Sequence, residues 1–364
     1  DDLDALPFPD YDEYFARSEQ LGLLTAEQKR RIALPLEGSR GCWWGVVQHC
    51  TFCGLNGENM AYRAKSSDRM LDEMAHLSAR HRIFHFEAAD NIVPADADRD
   101  LFPKLEASGF DYQLFFEVKA NLRREQVRRM KRAGVEWIQP GIESLSSHVL
   151  ALMRKGVRAI DNVNLLRWAR YYGIEVSWNI LGGFPNERTT DYDEQAALVP
   201  FLAHLEPPAG AARIWLERFS PLYVDREAFP ATRVEAEASY GYVYPQGVDL
   251  DRIAYFFDYA FENTLPRDVA HPLEERVLAW KKRWQEEPAP RLSYRASPDL
   301  IVVEDARQHG EPVVYELEGP LAELYLACAE RPRRPEALRK ALDFPEDRDE
   351  IAGALDLFCE KGLM

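Results

Sequence analysis

The sequence has no long apolar run, little cysteine and a shortage of positive charge. Among 364 residues, 45 Lys and Arg face 61 Asp and Glu, so the formal net charge is −16. This balance excludes a general nucleic-acid binder, whose affinity comes from neutralising phosphates. No stretch approaches the roughly 18 consecutive apolar residues of a membrane-spanning helix, and no targeting segment is apparent. We therefore expect a cytoplasmic protein that binds neither nucleic acid nor membrane.

Cysteine is scarce, yet three of the five cysteines, Cys42, Cys50 and Cys53, fall in one short segment with the spacing C-x7-C-x2-C. Thiolates gathered in a glycine-flanked loop are typical of a metal or cluster site. Three thiolates leave one metal position open for chemistry, which favours an iron–sulfur cluster. His49 could instead complete a zinc knuckle. A disulfide is disfavoured because the cysteine count is odd and no secretory signal is visible.

From about residue 32 to residue 220, short apolar runs alternate with amphipathic segments. The predicted strands are 32–36, 82–87, 112–118, 135–139, 174–181 and 212–219. The predicted helices are 70–77, 98–108, 124–133, 146–173 and 189–205. This α/β alternation predicts a parallel sheet closed wholly or partly into a TIM-like (β/α)6 barrel. Chemistry in such barrels occurs where strands end, and polar residues fall there: Glu87, Asp90, Glu117, Lys119, Glu143, Ser144, Asn179 and Arg218.

The rest of the chain divides by composition. Residues 1–30 are predicted to be an N-terminal connector, 31–220 the core barrel, and 221–286 a tyrosine-rich region that covers the barrel or lines a substrate channel. A proline-containing linker follows. Residues 291–364 predict a small winged-helix-like α+β domain. Its predicted elements are strands 300–304 and 313–317 and helices 319–329, 334–342 and 347–361. Cys328 and Cys359 fall on apolar helix faces and are predicted to be inert core thiols.

The cysteine loop, with Phe52 just before its last cysteine, resembles the cluster-binding loop of radical S-adenosylmethionine (SAM) enzymes. The common loop there is C-x3-C-x2-C, so the longer first gap of this chain is a departure. That gap is similar to one subgroup, the radical SAM proteins that mature ribosomally synthesised peptides (RiPPs), many of them cobalamin-dependent C-methyltransferases. The phrases that carry this resemblance are 39–45, 90–94, 117–121, 139–144 and 218–221.

The resemblance implies a radical SAM barrel with a [4Fe–4S] cluster on Cys42, Cys50 and Cys53 and with SAM on the fourth iron. One electron from the cluster then cleaves SAM to a 5′-deoxyadenosyl radical. The implied SAM-binding residues are Asp90 or Glu87 for the amino group, Glu143 and Ser144 for carboxylate and ribose, and Asn179, Gly183 and Phe52 for adenine.

Several of these residues also have structural interpretations. Asp90 could cap a helix, and Gly183 could only turn the strand. The catalytic residues are unknown, and the candidates are Glu117, Lys119 and Arg218. Glu117 and Lys119 could instead form an ion pair inside the barrel, and Arg218 could bind a carboxylate or be a buried pair partner.

The resemblance predicts C-methylation of a precursor peptide as the function. Methyl transfer to an sp3 carbon needs cobalamin, but no D-x-H-x-x-G cobalamin loop occurs in the 364 residues. We therefore expect a cobalamin domain upstream of Asp1. Without cobalamin, peptide epimerisation or crosslinking is the alternative. A zinc-binding interaction protein is the alternative of another class.

Two partners are expected for the enzyme. One is an electron donor of flavodoxin or ferredoxin type. The other is a peptide whose leader segment is held by residues 291–364 through strand addition, unless those residues are a lid that only packs on the barrel.

Overall fold

The computed structural model describes residues 2–57, 59–329, 331–342 and 348–363. The strands in chain order are β1 (Leu34–Leu36), β2 (Ser39–Arg40), β3 (Arg63–Ala64), β4 (His85–Ala88), β5 (Gln113–Val118), β6 (Val135–Pro140), β7 (Glu175–Val176), β8 (Ile180–Gly182), β9 (Ala211–Arg213), β10 (Leu216–Glu217), β11 (Ala231–Ala236), β12 (Phe256–Phe261), β13 (Arg291–Ser297), β14 (Leu300–Ala306) and β15 (Val313–Glu318).

The helices in chain order are α1 (Asp12–Gln20), α2 (Ala26–Arg30), α3 (Trp43–Val47), α4 (Ser67–His81), α5 (Leu101–Ser108), α6 (Arg124–Arg132), α7 (Ser147–Leu152), α8 (Ala159–Tyr172), α9 (Thr189–Leu202), α10 (Pro221–Val224), α11 (Tyr240–Val243), α12 (Leu250–Ile253), α13 (His271–Trp284), α14 (Pro320–Ala329), α15 (Pro335–Leu342) and α16 (Arg348–Glu360). A 3-10 turn, Arg267–Ala270, precedes α13.

A parallel sheet in the order β1-β4-β5-β6-β7 forms the centre of the molecule. The parallel pair β8-β9 extends it through a bridge between Glu143 and Ile180. Alternate strand residues such as Phe86, Phe116 and Ile138 are buried in one core with the apolar side chains of α4, α6 and α8. This is the predicted partial TIM-like barrel, and the α/β fold class is confirmed.

The intervening strand residues face the inside of the barrel, because side chains alternate along a strand. One inner row consists of residues in register across five strands: Pro35, Glu87, Phe115, Trp137 and Glu175. Glu117 and Gln139 pair in the next row toward the carboxyl ends. The strand register therefore places the candidates Glu87 and Glu117 on the same inner face.

Three predicted elements are each divided in the structure. The predicted strand 174–181 consists of β7 and β8, and 212–219 consists of β9 and β10. The predicted helix 146–173 ends at Leu152 and restarts at Ala159. Arg154 (φ +57°) and Gly156 (φ +64°) adopt left-handed backbone between the two helices, and this conformation ends an α-helix.

Residues 221–286 contain strands that the sequence pattern did not predict. An antiparallel sheet, β10-β12-β11, packs with α7 and α10 in a second core that includes Leu216, Phe257 and Phe184. The N-terminal segment also packs on the barrel. Phe15 is buried in the main core, and the Tyr11 hydroxyl donates to the Pro35 carbonyl at 2.8 Å.

The C-terminal residues form the small α+β unit that was predicted. The antiparallel sheet β13-β14-β15 is followed by α14 to α16, with a core of its own that includes Ile301 and Phe358. Strand β13 was missed, and the predicted helix 347–361 begins at a residue outside the described part. Cys328 packs on this core, but Cys359 is exposed, so the prediction of a core thiol is wrong for Cys359. No helix among the described residues has the length and apolarity needed to cross a membrane.

Candidate active site at the cysteine loop

The three cysteines lie in one loop at the carboxyl end of β1. Cys42 caps helix α3, and its sulfur accepts a hydrogen bond from the Gly45 N–H at 3.3 Å. Cys50 and Cys53 share a tight turn in which the Cys53 N–H donates to the Cys50 carbonyl at 3.2 Å. All three thiols are free and partly buried. Burial raises the pKa of the Cys53 thiol to about 12, so its thiolate form requires a positively charged partner.

The turn between Cys50 and Cys53 is clamped from two sides. The Thr51 N–H donates to the Met153 carbonyl at 3.1 Å, and the Thr51 carbonyl accepts from the Leu222 N–H at 2.9 Å. Directly after the turn, the Gly54 N–H donates to Oε2 of Glu217 at 2.7 Å. A methyl group on Gly54 would lie 2.2 Å from the Arg218 carbonyl oxygen, so only glycine fits there.

The segment after β4 braces the other side of the loop. The Asp90 carboxylate accepts hydrogen bonds from the Gly38 N–H at 2.8 Å and the Ser39 hydroxyl at 3.1 Å. The Trp43 indole N–H donates to the Val93 carbonyl at 3.0 Å. Asp90 is almost fully buried, and this burial raises its pKa to about 6 despite the two hydrogen bonds. Both oxygens of this SAM-binding candidate therefore contact the strand that leads into the cysteine loop.

Within the described residues, no three His, Cys, Asp or Glu side chains converge closely enough to bind one metal ion. A mononuclear zinc site needs such convergence, whereas each thiolate of a four-iron cluster binds a different iron. His49 Nε2 lies 2.7 Å from the Cys53 carbonyl oxygen, so one of its ring nitrogens is already in a backbone contact.

Two lysines lie beside the loop. Lys119 Nζ is 3.6 Å from the centre of the Trp44 ring and donates to the Lys155 carbonyl. Lys155 Nζ lies 3.2 Å from Oε1 of Glu143 and 5.8 Å from the centre of the Phe52 ring. Burial and the nearby Lys155 lower the pKa of Lys119 to about 8. Although burial opposes the charged form of Lys155, Glu143 and the thiols raise its pKa.

Glu117 and Lys119 do not form the ion pair considered from the sequence, because Lys119 turns to the Lys155 backbone. Burial and the neighbouring Glu143 raise the pKa of Glu117 to about 7. Glu87 lies one row further from the loop and is exposed on the inner face. Glu117 is thus the candidate whose carboxyl group can be protonated near neutral pH.

The phrase that contains Glu143 and Ser144 divides in the structure. Glu143, with φ +57°, directs its side chain to Lys155 beside the loop. Ser144 is fully buried instead, and its hydroxyl donates to Oε1 of Gln195 at 2.9 Å. Glu143 is therefore brought to the cysteine loop, while Ser144 contacts helix α9.

The glycines after β8 form a tight turn with a buried acid. Gly183 has φ +86°, and its N–H donates to Oε2 of Glu187 at 2.9 Å. The Tyr192 hydroxyl donates to the same oxygen at 2.7 Å. Phe184 follows the turn, and its ring centre lies 6.0 Å from that of Phe52. Asn179 is exposed on the inner face just before β8.

Arg218 has neither of the roles considered from the sequence. Its guanidinium donates to the carbonyls of Ala254, at 2.6 Å, and Asp251, at 2.5 Å. Its ring contacts are with Tyr223 and Phe257, and it forms no ion pair among the described residues. Arg218 therefore holds the segment before β12 in place.

Sequence reasoning missed Lys155 and Glu217. Glu217 directly precedes the phrase 218–221, and its position one residue before Arg218 puts it on the opposite side of β10. That alternation was a usable signal for Glu217. Lys155 lies in the irregular link between α7 and α8. Only the tertiary structure brings it to the loop.

Comparison with known proteins identifies relatives of this region. Residues 36–197 match the family model of the Radical SAM superfamily. An uncharacterized methyltransferase of Pyrococcus horikoshii is 24% identical over 211 residues, 56% of this chain and 42% of that protein. The hopanoid C-3 methylase of Methylococcus capsulatus is 25% identical over 150 residues, 40% of this chain and 28% of that protein. The chain thus spans less than half the length of either curated relative.

A solved structure shares the fold. The radical SAM methyltransferase TsrM of Kitasatospora setae, determined with cobalamin and a [4Fe–4S] cluster bound, matches with a TM-score of 0.52 and 16% identity. The match covers 70% of this chain and 53% of that one. At this identity the likeness concerns the fold alone.

Proposed function

Because residues 36–197 match the Radical SAM superfamily, we propose that the chain is the catalytic part of an enzyme that methylates a carbon atom of a ribosomally synthesised precursor peptide. The superfamily uses a [4Fe–4S] cluster and SAM, so both are cofactors of this enzyme. The observation that carries the proposal is a loop with three free thiols, held by backbone hydrogen bonds at the carboxyl end of β1, with no fourth cysteine beside them among the described residues. The match to this superfamily favours a cluster over the zinc-binding alternative.

Cys42, Cys50 and Cys53 hold the cluster in this proposal, and SAM lies between the loop and the inner face. The cluster supplies one-electron chemistry to SAM when both are bound. The space for SAM is lined by Phe52, Glu143, Asn179 and Gly183. Glu87, one row further along the inner face, binds the amino group of SAM in this proposal.

Asp90 and Ser144 support SAM indirectly. The hydrogen bonds of Asp90 to Gly38 and Ser39 hold the entry of the loop, and Ser144 holds the turn that carries Glu143. Glu117 and Lys119 remain the catalytic candidates because they face the same space. Their side chains are aligned on one inner face.

The substrate lies on the inner face of the barrel below the SAM space. Trp137 is on an interior strand of the sheet, yet 38% of its surface is exposed, and its ring centre is 4.6 Å from that of Phe115. Both faces of a parallel sheet are usually covered. A peptide side chain on this aromatic pair, with the acids Glu87 and Glu175 in the same row, supplies that cover.

The C-terminal unit receives the leader segment of the peptide. Among the residues that the structure describes, β13 and β15 each pair only with β14, so the two strands form the edges of this sheet. Val313 and Val314 at the β15 edge are 52% and 56% exposed. An added strand would satisfy the unpaired backbone of such an edge and raise the local concentration of the peptide at the barrel.

Methyl transfer, rather than another radical reaction, is supported by the relatives, since one is a methyltransferase, one is a methylase and TsrM is a methyltransferase. Cobalamin is the methyl carrier in this proposal, as TsrM binds it. Epimerisation or crosslinking of the peptide is the runner-up. Reducing equivalents come from a flavodoxin or ferredoxin in the cytoplasm.

The first test is metal content. Anaerobically reconstituted protein should contain about four irons and four sulfides per chain. Changing Cys42, Cys50 or Cys53 to Ala should abolish the iron, whereas Cys328→Ala and Cys359→Ala should retain it. Stoichiometric zinc without iron would contradict the proposal.

The second test is the product. The full-length protein, supplied with cobalamin, SAM and a reductant, should add 14 Da per methyl group to its precursor peptide, read by mass spectrometry. A product of unchanged mass with an inverted residue, or one lighter by two hydrogens, would instead establish the runner-up.

A further inference from the structure

Two buried cations lie on two aromatic rings of the cysteine loop. Lys119 and Lys155 are each 9% exposed. Lys119 contacts the ring of Trp44, which is two residues after Cys42. Lys155 lies near the ring of Phe52, which directly precedes Cys53. Buried lysines are rare unless they are paired, so their position at this loop requires an explanation.

The two lysines differ in their counter-charges. Lys155 is paired with Glu143, whereas Lys119 forms no carboxylate pair among the described residues and binds only a backbone carbonyl and a ring. On the opposite side, Glu217 contacts the Gly54 N–H beside Cys53. Both lysine charges act on the Cys50 thiol, and the Glu217 charge acts on Cys53.

We propose that these four charges, two on buried lysines and two on half-buried glutamates, set the reduction potential of the cluster: Lys119 and Lys155 raise the potential, and Glu143 and Glu217 lower it. Reduction adds one electron from an external one-electron donor to a site already ringed by thiolates. A nearby cation stabilises that added negative charge and a nearby carboxylate opposes it. This inference rests on the proposed function, since it requires the cluster.

Lys119 makes the largest net contribution in this scheme because no acid neutralises it. In this role the four side chains act on the cluster through the electrostatic field at the loop, apart from any contact that Lys119 or Glu143 makes with SAM or substrate. Their effect is therefore visible in a potential and not only in a rate.

The test is a redox titration of iron-loaded protein at pH 7 without SAM, followed by electron paramagnetic resonance of the reduced cluster. Lys119→Met should move the midpoint potential of the cluster to a more negative value. At a fixed potential, the ratio of reduced to oxidised cluster should fall by close to tenfold, which corresponds to 59 mV for a one-electron couple. Glu217→Gln, which keeps an acceptor for Gly54, should move it the opposite way, as should Glu143→Gln.

Two matched controls separate charge from shape. Lys119→Arg keeps the charge and should hold the midpoint near that of the wild type. Lys104→Met removes a half-buried lysine of helix α5, away from the cysteine loop, that is paired with Asp68 and Asp100, and should have no effect. Opposite shifts for the lysine and glutamate variants support the inference, because a purely structural defect has no reason to change sign with charge.

Equal midpoints for wild type, Glu217→Gln and Glu143→Gln, all loaded with iron, would overturn the inference, even if Lys119→Met failed to fold. A wild-type protein that binds no iron would instead refute the proposed function, so the two failures are distinguishable.

Discussion

At the scale of single residues, Asp90 shows how a buried carboxylate can serve a loop from a distant strand. It lies 52 positions after Gly38 in the chain, yet its carboxylate accepts the Gly38 N–H. The pKa near 6 means that charging Asp90 is costly in this environment, because desolvation outweighs two hydrogen bonds. The ionised Asp90 therefore destabilises the fold, while its hydrogen bonds fix the segment that leads into the cysteine loop.

Asp90→Asn tests that cost. Between pH 3.8 and about 6 the folded protein binds the Asp90 proton more tightly than the unfolded chain does, so the stability of the wild type falls as the pH rises through this window. Asparagine removes this dependence. The free energy of unfolding of wild type relative to Asp90→Asn should therefore fall by up to about 3 kcal/mol between pH 4 and pH 7. Urea denaturation of the iron-free proteins at several pH values measures this.

The control for this prediction is Asp100→Asn. Asp100 is half-exposed, and hydrogen bonds from Ser67 and Lys104 lower its pKa, so the wild type should not lose stability relative to Asp100→Asn over the same window. Parallel pH profiles for wild type and Asp90→Asn would show that Asp90 is ionised without penalty.

At the scale of elements, the cysteine loop has little regular structure and takes its shape from neighbours. Helix α3 has five residues, and none of them is buried. The loop is held by hydrogen bonds to the residue after α7, to α10 and to the segment after β4. A short helix without a buried face cannot be stable alone. Its geometry therefore depends on how closely those neighbours approach.

Gly54→Ala should disrupt that approach. The added methyl group would meet the Arg218 carbonyl at 2.2 Å, and a backbone atom cannot move aside as a side chain can. We expect a loss of about 1–3 kcal/mol of stability and a several-fold lower iron content. Gly210→Ala is the matched control, since nothing lies within 4 Å of its new methyl group. Equal iron in both variants, measured after reconstitution, would contradict the tight fit.

At the scale of the whole molecule, the barrel and the C-terminal unit have separate cores. The main core is formed by the barrel strands and helices. The C-terminal unit, called the tail below, has its own core around Ile301 and Phe358. The contacts between them are few and specific, such as the hydrogen bond from Arg307 to the Phe201 carbonyl at 2.9 Å. The barrel should therefore fold without the tail.

A chain that ends at Glu287 should thus keep its cluster and bind SAM, while its affinity for the leader-bearing precursor falls at least tenfold, measured by calorimetry. A matched variant of the intact chain, Val314→Lys, should weaken the binding of the leader segment. It should leave the fold intact, because Val314 is exposed. If the truncated protein binds and methylates the precursor as well as the intact chain does, the tail is only structural.

The sequence by itself determined the chemistry and the fold class. Two local patterns carried this information: the spacing of Cys42, Cys50 and Cys53, and the alternation of apolar runs with amphipathic segments. Local patterns can be read from the sequence without knowledge of the fold. The inner-face positions of Glu87 and Glu117 also followed, because strand side chains alternate with a period of two. The strands of residues 221–286 were missed, since their pairing partners are distant and their pattern is weak.

Tertiary structure alone decided which polar groups meet at the loop. Glu143 and Ser144 are adjacent in sequence, yet one reaches Lys155 and the other is buried against Gln195, because the left-handed backbone at Glu143 turns them apart. Lys155 carries no local signal, and it enters the site only because the link between α7 and α8 packs beneath the loop. Such contacts form only when the packing of whole elements brings two groups within the hydrogen-bond distance of about 3 Å. The periodicity of a sequence gives no information about that distance.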